Sequence, residues 1–163
     1  MSQKSRIILG IVIVIVILGI VLGVDQIQRR RLAAQIPELV PGSIPIYVDG
    51  ILTAGFIPAD LDELPDASFV DQEEGKTQEG WLLRDVLLLY LDSRNLEDSQ
   101  ITVSSSSREK SITLTWAQIE NEANRVMFDL SGRGTLKLVS DGVEGLAVRD
   151  EWVQEVDKIE ISQ

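Results

Sequence analysis

The hydrophobic pattern divides the chain sharply. Ile7 to Val24 reads IILGIVIVIVILGIVLGV, an apolar run without a charge. At 1.5 Å per residue such a helix is ~27 Å long, close to the ~30 Å hydrocarbon core of a bilayer. Ordinary strands are far shorter. The expectation is an uncleaved single-pass transmembrane helix over 7–24, behind a short basic tail over 1–6. A cleaved signal peptide is the alternative: Lys4 and Arg6 would be its basic region and Val21-Leu22-Gly23 its cleavage site, but the apolar stretch exceeds the usual ~7–15 residues. Gly19 and Gly23 form a G-x-x-x-G pair, a candidate helix-packing surface. Lys4 and Arg6 on one side nearly balance Arg29, Arg30 and Arg31 on the other. A short tail before an apolar run favours a domain on the outer, periplasmic or extracellular, face.

Residues 25–43 read as a helix extension followed by a stiff linker marked by Pro37 and Pro41, with Pro45 close behind. From 44 to 163 short periodic segments alternate with turns. Strands are expected over 44–48, 67–73, 100–104, 111–115, 125–130, 135–140 and 153–161. Asp49-Gly50 ends the first. Pro58 opens a short helix that Pro65 stops, and Asp60, Asp62 and Glu63 suit its positive end. Calcium binding by these acids lacks the glycine of an EF-hand loop. Trp81 to Leu91 is the strongest helix signal, apolar on most faces and therefore buried. Trp116 to Ala123 suggests another helix. Ser107-Arg108-Glu109-Lys110 and Ser131-Gly132-Arg133-Gly134 mark two hairpins. The fold class read from this pattern is α+β with a mainly antiparallel sheet.

Charge and composition narrow the chemistry. The chain has 163 residues, 15 basic and 26 acidic, with a net charge of −11 and neither cysteine nor histidine. Residues 32–163 alone carry a net of −15, which repels a phosphate backbone and argues against nucleic acid. Without Cys or His there is no disulfide, no thiolate-held cluster, no ordinary zinc site and no imidazole base. No catalytic or metal-ligating residue is nominated, and a binding or structural role is favoured over an enzyme.

Three stretches resemble the oxidoreductase molybdopterin-binding domain of the sulfite oxidase family. They are Val48-Asp49-Gly50 with Ile57 to Pro65; Gly80-Trp81-Leu82-Leu83-Arg84-Asp85-Val86-Leu87; and Leu136 to Val139 followed by Trp152 to Ile161. Together they span about 46–161 in the family's order. The resemblance implies a sulfite-oxidase-like fold for residues 44–163 as a minimal version, with molybdopterin as the one cofactor it suggests. The family's molybdenum-ligating cysteine is missing: Phe69-Val70-Asp71-Gln72 stands in the corresponding stretch. A molybdenum oxidoreductase with a non-thiolate ligand such as Asp71 is the least favoured reading, since soft thiolates normally fill that role.

Two functional expectations follow. The first is a membrane-anchored, non-catalytic accessory or interaction subunit of a membrane protein complex, with the bilayer and other subunits as partners. The second is a tethered binding module for a pterin-like or other anionic small molecule, with Arg108, Lys110, Arg133 and Arg149 as candidate ligand-binding residues.

Overall fold

The computed structural model describes residues 38–93 and 96–163. They belong to one compact unit, Pro37–Gln163. Nine strands form two sheets among the described residues: β1 (Ile44–Val48), β2 (Ile51–Phe56), β3 (Asp66–Val70), β4 (Thr77–Leu82), β5 (Gln100–Ser105), β6 (Lys110–Thr115), β7 (Met127–Leu130), β8 (Leu136–Val139) and β9 (Lys158–Ser162). The five-stranded sheet runs β2-β1-β9-β5-β6 and the four-stranded sheet β3-β4-β7-β8. The β1–β9 pair is parallel and the others antiparallel. The α-helices among the described residues are α1 (Leu83–Tyr90) and α2 (Trp116–Glu120).

This corrects the expected fold class. The domain is mostly β and built on two sheets, not an α+β domain on one mainly antiparallel sheet. Two strands absent from the sequence pattern, β2 and β4, account for much of the difference. Asp49 and Gly50 both take positive φ (48° and 77°), which suits a two-residue hairpin that pairs Val48 with Ile51. Asp49-Gly50 therefore joins two strands, where the sequence reading only ended one. Trp81 and Leu82 belong to β4 because they pair with Phe128 and Met127, and the expected helix is shortened to Leu83–Tyr90. Its end is marked by the Leu91 N–H donating to the Leu87 carbonyl at 2.9 Å.

Pro45, adjacent to the expected linker, lies inside β1. Its missing N–H is tolerated because β9 pairing begins only at Ile46. Asp60 accepts from the Ile57 N–H at 2.9 Å and so caps the turn that Pro58 opens. The first turn of α2 is closed by a capping box: Thr115 Oγ1 accepts from the Gln118 N–H at 3.3 Å, and Gln118 Oε1 from the Thr115 N–H at 2.9 Å.

Among the described residues no helix is long and apolar enough to cross a membrane. The eight residues of α1 span only ~12 Å, against ~30 Å of hydrocarbon. This corrects the single-pass, outer-face localisation, which has no support in the structure. The run Ile7 to Val24, with Gly19 and Gly23, and the helix extension that follows it lie outside the described residues.

The facing sides of both sheets share one apolar core. Ile44, Ile46, Phe56, Ile101, Val103, Ile159 and Ile161 come from the five-stranded sheet, and Trp81, Phe128, Leu136 and Leu138 from the four-stranded one. Leu83, Val86 and Leu87 of α1 join them. Phe69, Met127, Val139 and Trp152 form a separate, smaller cluster. Strand alternation puts Phe69, Met127 and Val139 on the opposite, outer face of the four-stranded sheet, where Trp152 of the later loop packs with them. That face leads to the site.

Candidate functional site

Three hairpin turns and one loop converge on a cavity of about 710 Å³. The β3–β4 turn contributes Glu73 and Glu74, the β7–β8 turn Ser131, Gly132, Arg133 and Thr135, and the β5–β6 turn Arg108. Lys137 of β8 and the loop residues Arg149, Asp150, Trp152, Gln154 and Glu155 complete it.

Each turn is held by its own chemistry. Asp71 Oδ1 accepts from the Glu73 N–H at 2.9 Å, and the Gly75 N–H donates to the Asp71 carbonyl at 2.8 Å. An Asp side chain turned back on its own backbone favours such a turn. In the β7–β8 turn Gly134 takes φ 77° and donates to the Ser131 carbonyl at 2.9 Å, while the Ser131 and Thr135 hydroxyls bond at 2.8 Å. The loop over 149–155 is clipped to β8: Leu138 and Val153 exchange backbone hydrogen bonds of 2.8 and 3.2 Å. Farther on, the Ser106 N–H donates to Asp157 Oδ2 at 2.8 Å, tying the β5–β6 turn to the same segment.

Beside the cavity, the outer face of the four-stranded sheet carries a polar group of its own. Asp129 and Lys137 are cross-strand partners. Lys137 Nζ lies 3.1 Å from Asp129 Oδ2 and donates to Gln78 Oε1 at 2.7 Å. Gln78 and Asp129 are buried. Burial raises the Asp129 carboxyl above its ordinary range, and the Lys137 ammonium opposes that rise without cancelling it. Trp152 packs against this group. Lys137 Nζ stands 5.1 Å and the Arg149 guanidinium 5.4 Å from its ring centroid, both within reach of a cation–π contact. The indole N–H donates to the Leu146 carbonyl at 3.0 Å.

The cavity's charges are already engaged. Arg149 pairs with Glu74, and its Nε sits 3.6 Å from Asp71 Oδ2. Asp71 is 3% exposed and that oxygen has no hydrogen-bond partner among the described residues. Glu74 is held below the usual carboxylate range, first by Lys76 and then by Arg149. Glu155 Oε2 accepts from Ser107 Oγ at 2.7 Å, and Oε1 accepts from Arg108 Nη2 at 2.5 Å. Arg133 Nη1 reaches the same Oε1 from 3.6 Å. These donors, Ser107 first and Arg108 next, lower the Glu155 carboxyl. Arg133, with 78% of its side chain exposed, is the least engaged cation of the cavity.

Three of the four residues nominated from sequence, Arg108, Arg133 and Arg149, therefore share one cavity. Lys110 does not line it but donates to the backbone carbonyl of Asp150, which does. Glu155 and Asp129 were not nominated, and Asp71 was named only as a stand-in for the missing molybdenum ligand. Lys137 and Asp129 carry a usable signal, since they lie four residues either side of Arg133, the middle of the turn. Antiparallel pairing about that turn makes them neighbours.

The net charge of the lining is near zero: Arg108, Arg133, Lys137 and Arg149 face Glu73, Glu74, Asp150 and Glu155. A second cavity of about 490 Å³ is lined by Glu97, Asp98 and Glu120 beside Trp116, and no basic residue lines it. Among the described residues no group of His, Cys, Asp or Glu is placed to hold a metal ion. No family model matches the chain, and no curated protein matches it. The resemblance to the molybdopterin-binding domain rests on the quoted residues alone.

Proposed function

We propose that this domain is a binding module for a small anionic molecule, seated in the cavity between the hairpin tips. The observation that carries this reading is the convergence of Arg108, Arg133 and Arg149, 41 residues apart from first to last in sequence, on one cavity with Lys137. Arginine presents a planar fork that grips carboxylate and phosphate oxygens. Arg133 is the natural first contact, because it is exposed and only loosely paired. Lys137 and Arg149 are fixed more firmly against Trp152, each already paired with a carboxylate. A pterin carrying a phosphate belongs to this ligand class and is the member the sequence resemblance suggests.

The test is calorimetric titration of the full chain with inorganic phosphate, a phosphorylated pterin and a simple carboxylate. Saturable binding of at least one probe is expected. Arg133→Glu should weaken it tenfold or more while the melting temperature stays put, because an exposed side chain contributes little to folding. Absence of binding by the natural chain, or equal binding by Arg133→Glu, refutes the proposal.

A further inference from the structure

We infer that Glu155 is an internal stand-in for a ligand's carboxylate, and that ligands enter the cavity by exchange with it. The inference rests on the binding-module reading above and names the ligand class. The geometry is that of a carboxylate site already filled. Both Glu155 oxygens are gripped, one by the Ser107 hydroxyl at 2.7 Å and the other by Arg108 at 2.5 Å, with Arg133 at 3.6 Å from the latter. The donors come from two different hairpins, β5–β6 and β7–β8, and Glu155 from the loop between β8 and β9. Ser107 is itself set by a 3.2 Å contact with the Ser105 hydroxyl.

Two features distinguish this from a plain surface ion pair. Glu155 takes φ 57°, a left-handed backbone conformation that side-chain-bearing residues seldom adopt, so the chain accepts strain at the residue whose carboxylate fills the cradle. The same oxygen also serves two arginines at unequal distances, so Arg133 is held only loosely and keeps donors facing solvent. An incoming carboxylate with the dimensions of a Glu side chain can bond Arg133 first and then take the place on Arg108 and Ser107, while Glu155 swings to solvent. No bond is made or broken covalently. Glu155 sets affinity, because every ligand must outcompete it.

The test compares the full chain with Glu155→Ala, using N-acetyl-L-glutamate N-methylamide and inorganic phosphate as probes. Alanine keeps the same strained backbone, so the substitution isolates the carboxylate. Glu155→Gln, which keeps one acceptor oxygen but loses the charge and the second acceptor, is the second variant should alanine fail to fold. Asp150→Asn removes one other cavity carboxylate as a control for net charge. Exchange predicts that Glu155→Ala binds the blocked glutamate at least tenfold tighter than the natural chain, that Glu155→Gln gains less, and that adding Arg133→Ala abolishes the gain. It also predicts less than a threefold change for Asp150→Asn. A structural role for Glu155 predicts the opposite sign, a loss of binding. Unchanged or weaker binding by Glu155→Ala overturns the exchange, as does an equal gain for Asp150→Asn. Phosphate binding tighter than the glutamate probe overturns the carboxylate class but leaves an anion module. If no folded variant binds either probe, the binding-module reading fails too.

Discussion

The two faces of the four-stranded sheet are built from the same strands and do opposite things. The inner face sets Trp81, Phe128, Leu136 and Leu138 into the shared core, and its stabilisation scales with apolar area removed from water. The outer face mixes a small apolar cluster with Gln78, Asp129 and Lys137, all beside one cavity. A buried carboxylate beside a half-buried ammonium costs desolvation that good pairing only partly offsets. An apolar pair there would be as stable or more so. The contrast teaches that strand alternation lets one set of residues hold the fold while its neighbours, one position away, hold a site.

That contrast is easiest to break from the inside. Phe128 is fully buried and its ring lies 6.1 Å from that of Phe56. Phe128→Ala should cost ~3–5 kcal/mol in urea unfolding, the range for a large core deletion. A smaller loss is expected where the two faces meet. A Cβ on Gly80 would stand 1.8 Å from the Phe128 carbonyl oxygen, so Gly80→Ala must push β4 off β7. About 1–3 kcal/mol of destabilisation is expected by the same measurement; an unchanged midpoint would mean the strands shift freely.

The outer face should respond to pH instead. The Asp129 carboxyl is raised in the folded chain from its ordinary 3.8, so the folded state holds that proton more tightly than the unfolded one. The stabilisation is fully present below about pH 3.8 and is lost as pH rises through the raised value. Asp129→Asn should remove this component, and the stability difference between the two chains across pH 3 to ~7 is the readout. A difference that does not move with pH would show that Lys137 offsets the burial fully. The smallest effect belongs to Leu130, two residues along from Phe128 on the inner register but 45% exposed at the strand end. Leu130→Ser should stay within ~0.5 kcal/mol.

Much of the fold was legible where the chain announces its own turns. The hairpins at 100–115 and 127–139 were expected from alternation flanking polar or glycine-rich turns, and both strand pairs form. The strand Thr77–Leu82 was not, because TQEGWL has a glycine in its middle and its apolar end runs straight into α1. Only the partner Phe128, remote in sequence, decides that Trp81 is extended and not helical. The expected final strand from Val153 shrinks to Lys158–Ser162 because Val153 bridges to Leu138 in the other sheet. The site was half legible for the same reason. Arginines in an acidic chain stand out as anion ligands, so Arg108, Arg133 and Arg149 were named. Nothing local distinguishes Glu155 from the other acids, and Asp71 stood out only by its place in the family resemblance; their places at the cavity come from which turns the sheets bring together.

The five-stranded sheet carries a consequence for how the chain is made. Its middle strand, β9, pairs in parallel with β1, and Ile46 meets Ile159, more than a hundred residues later. A ribosome adds ~5–20 residues each second, so on the order of ten seconds separate the two strands. Until β9 is synthesised, the edges of β1 and β5 that it pairs with in the finished sheet have no partner there. Unpaired edges are templates for association with other chains. The placement of the last-arriving strand at the centre of the sheet makes the nascent domain, more than the finished one, the state that needs protection.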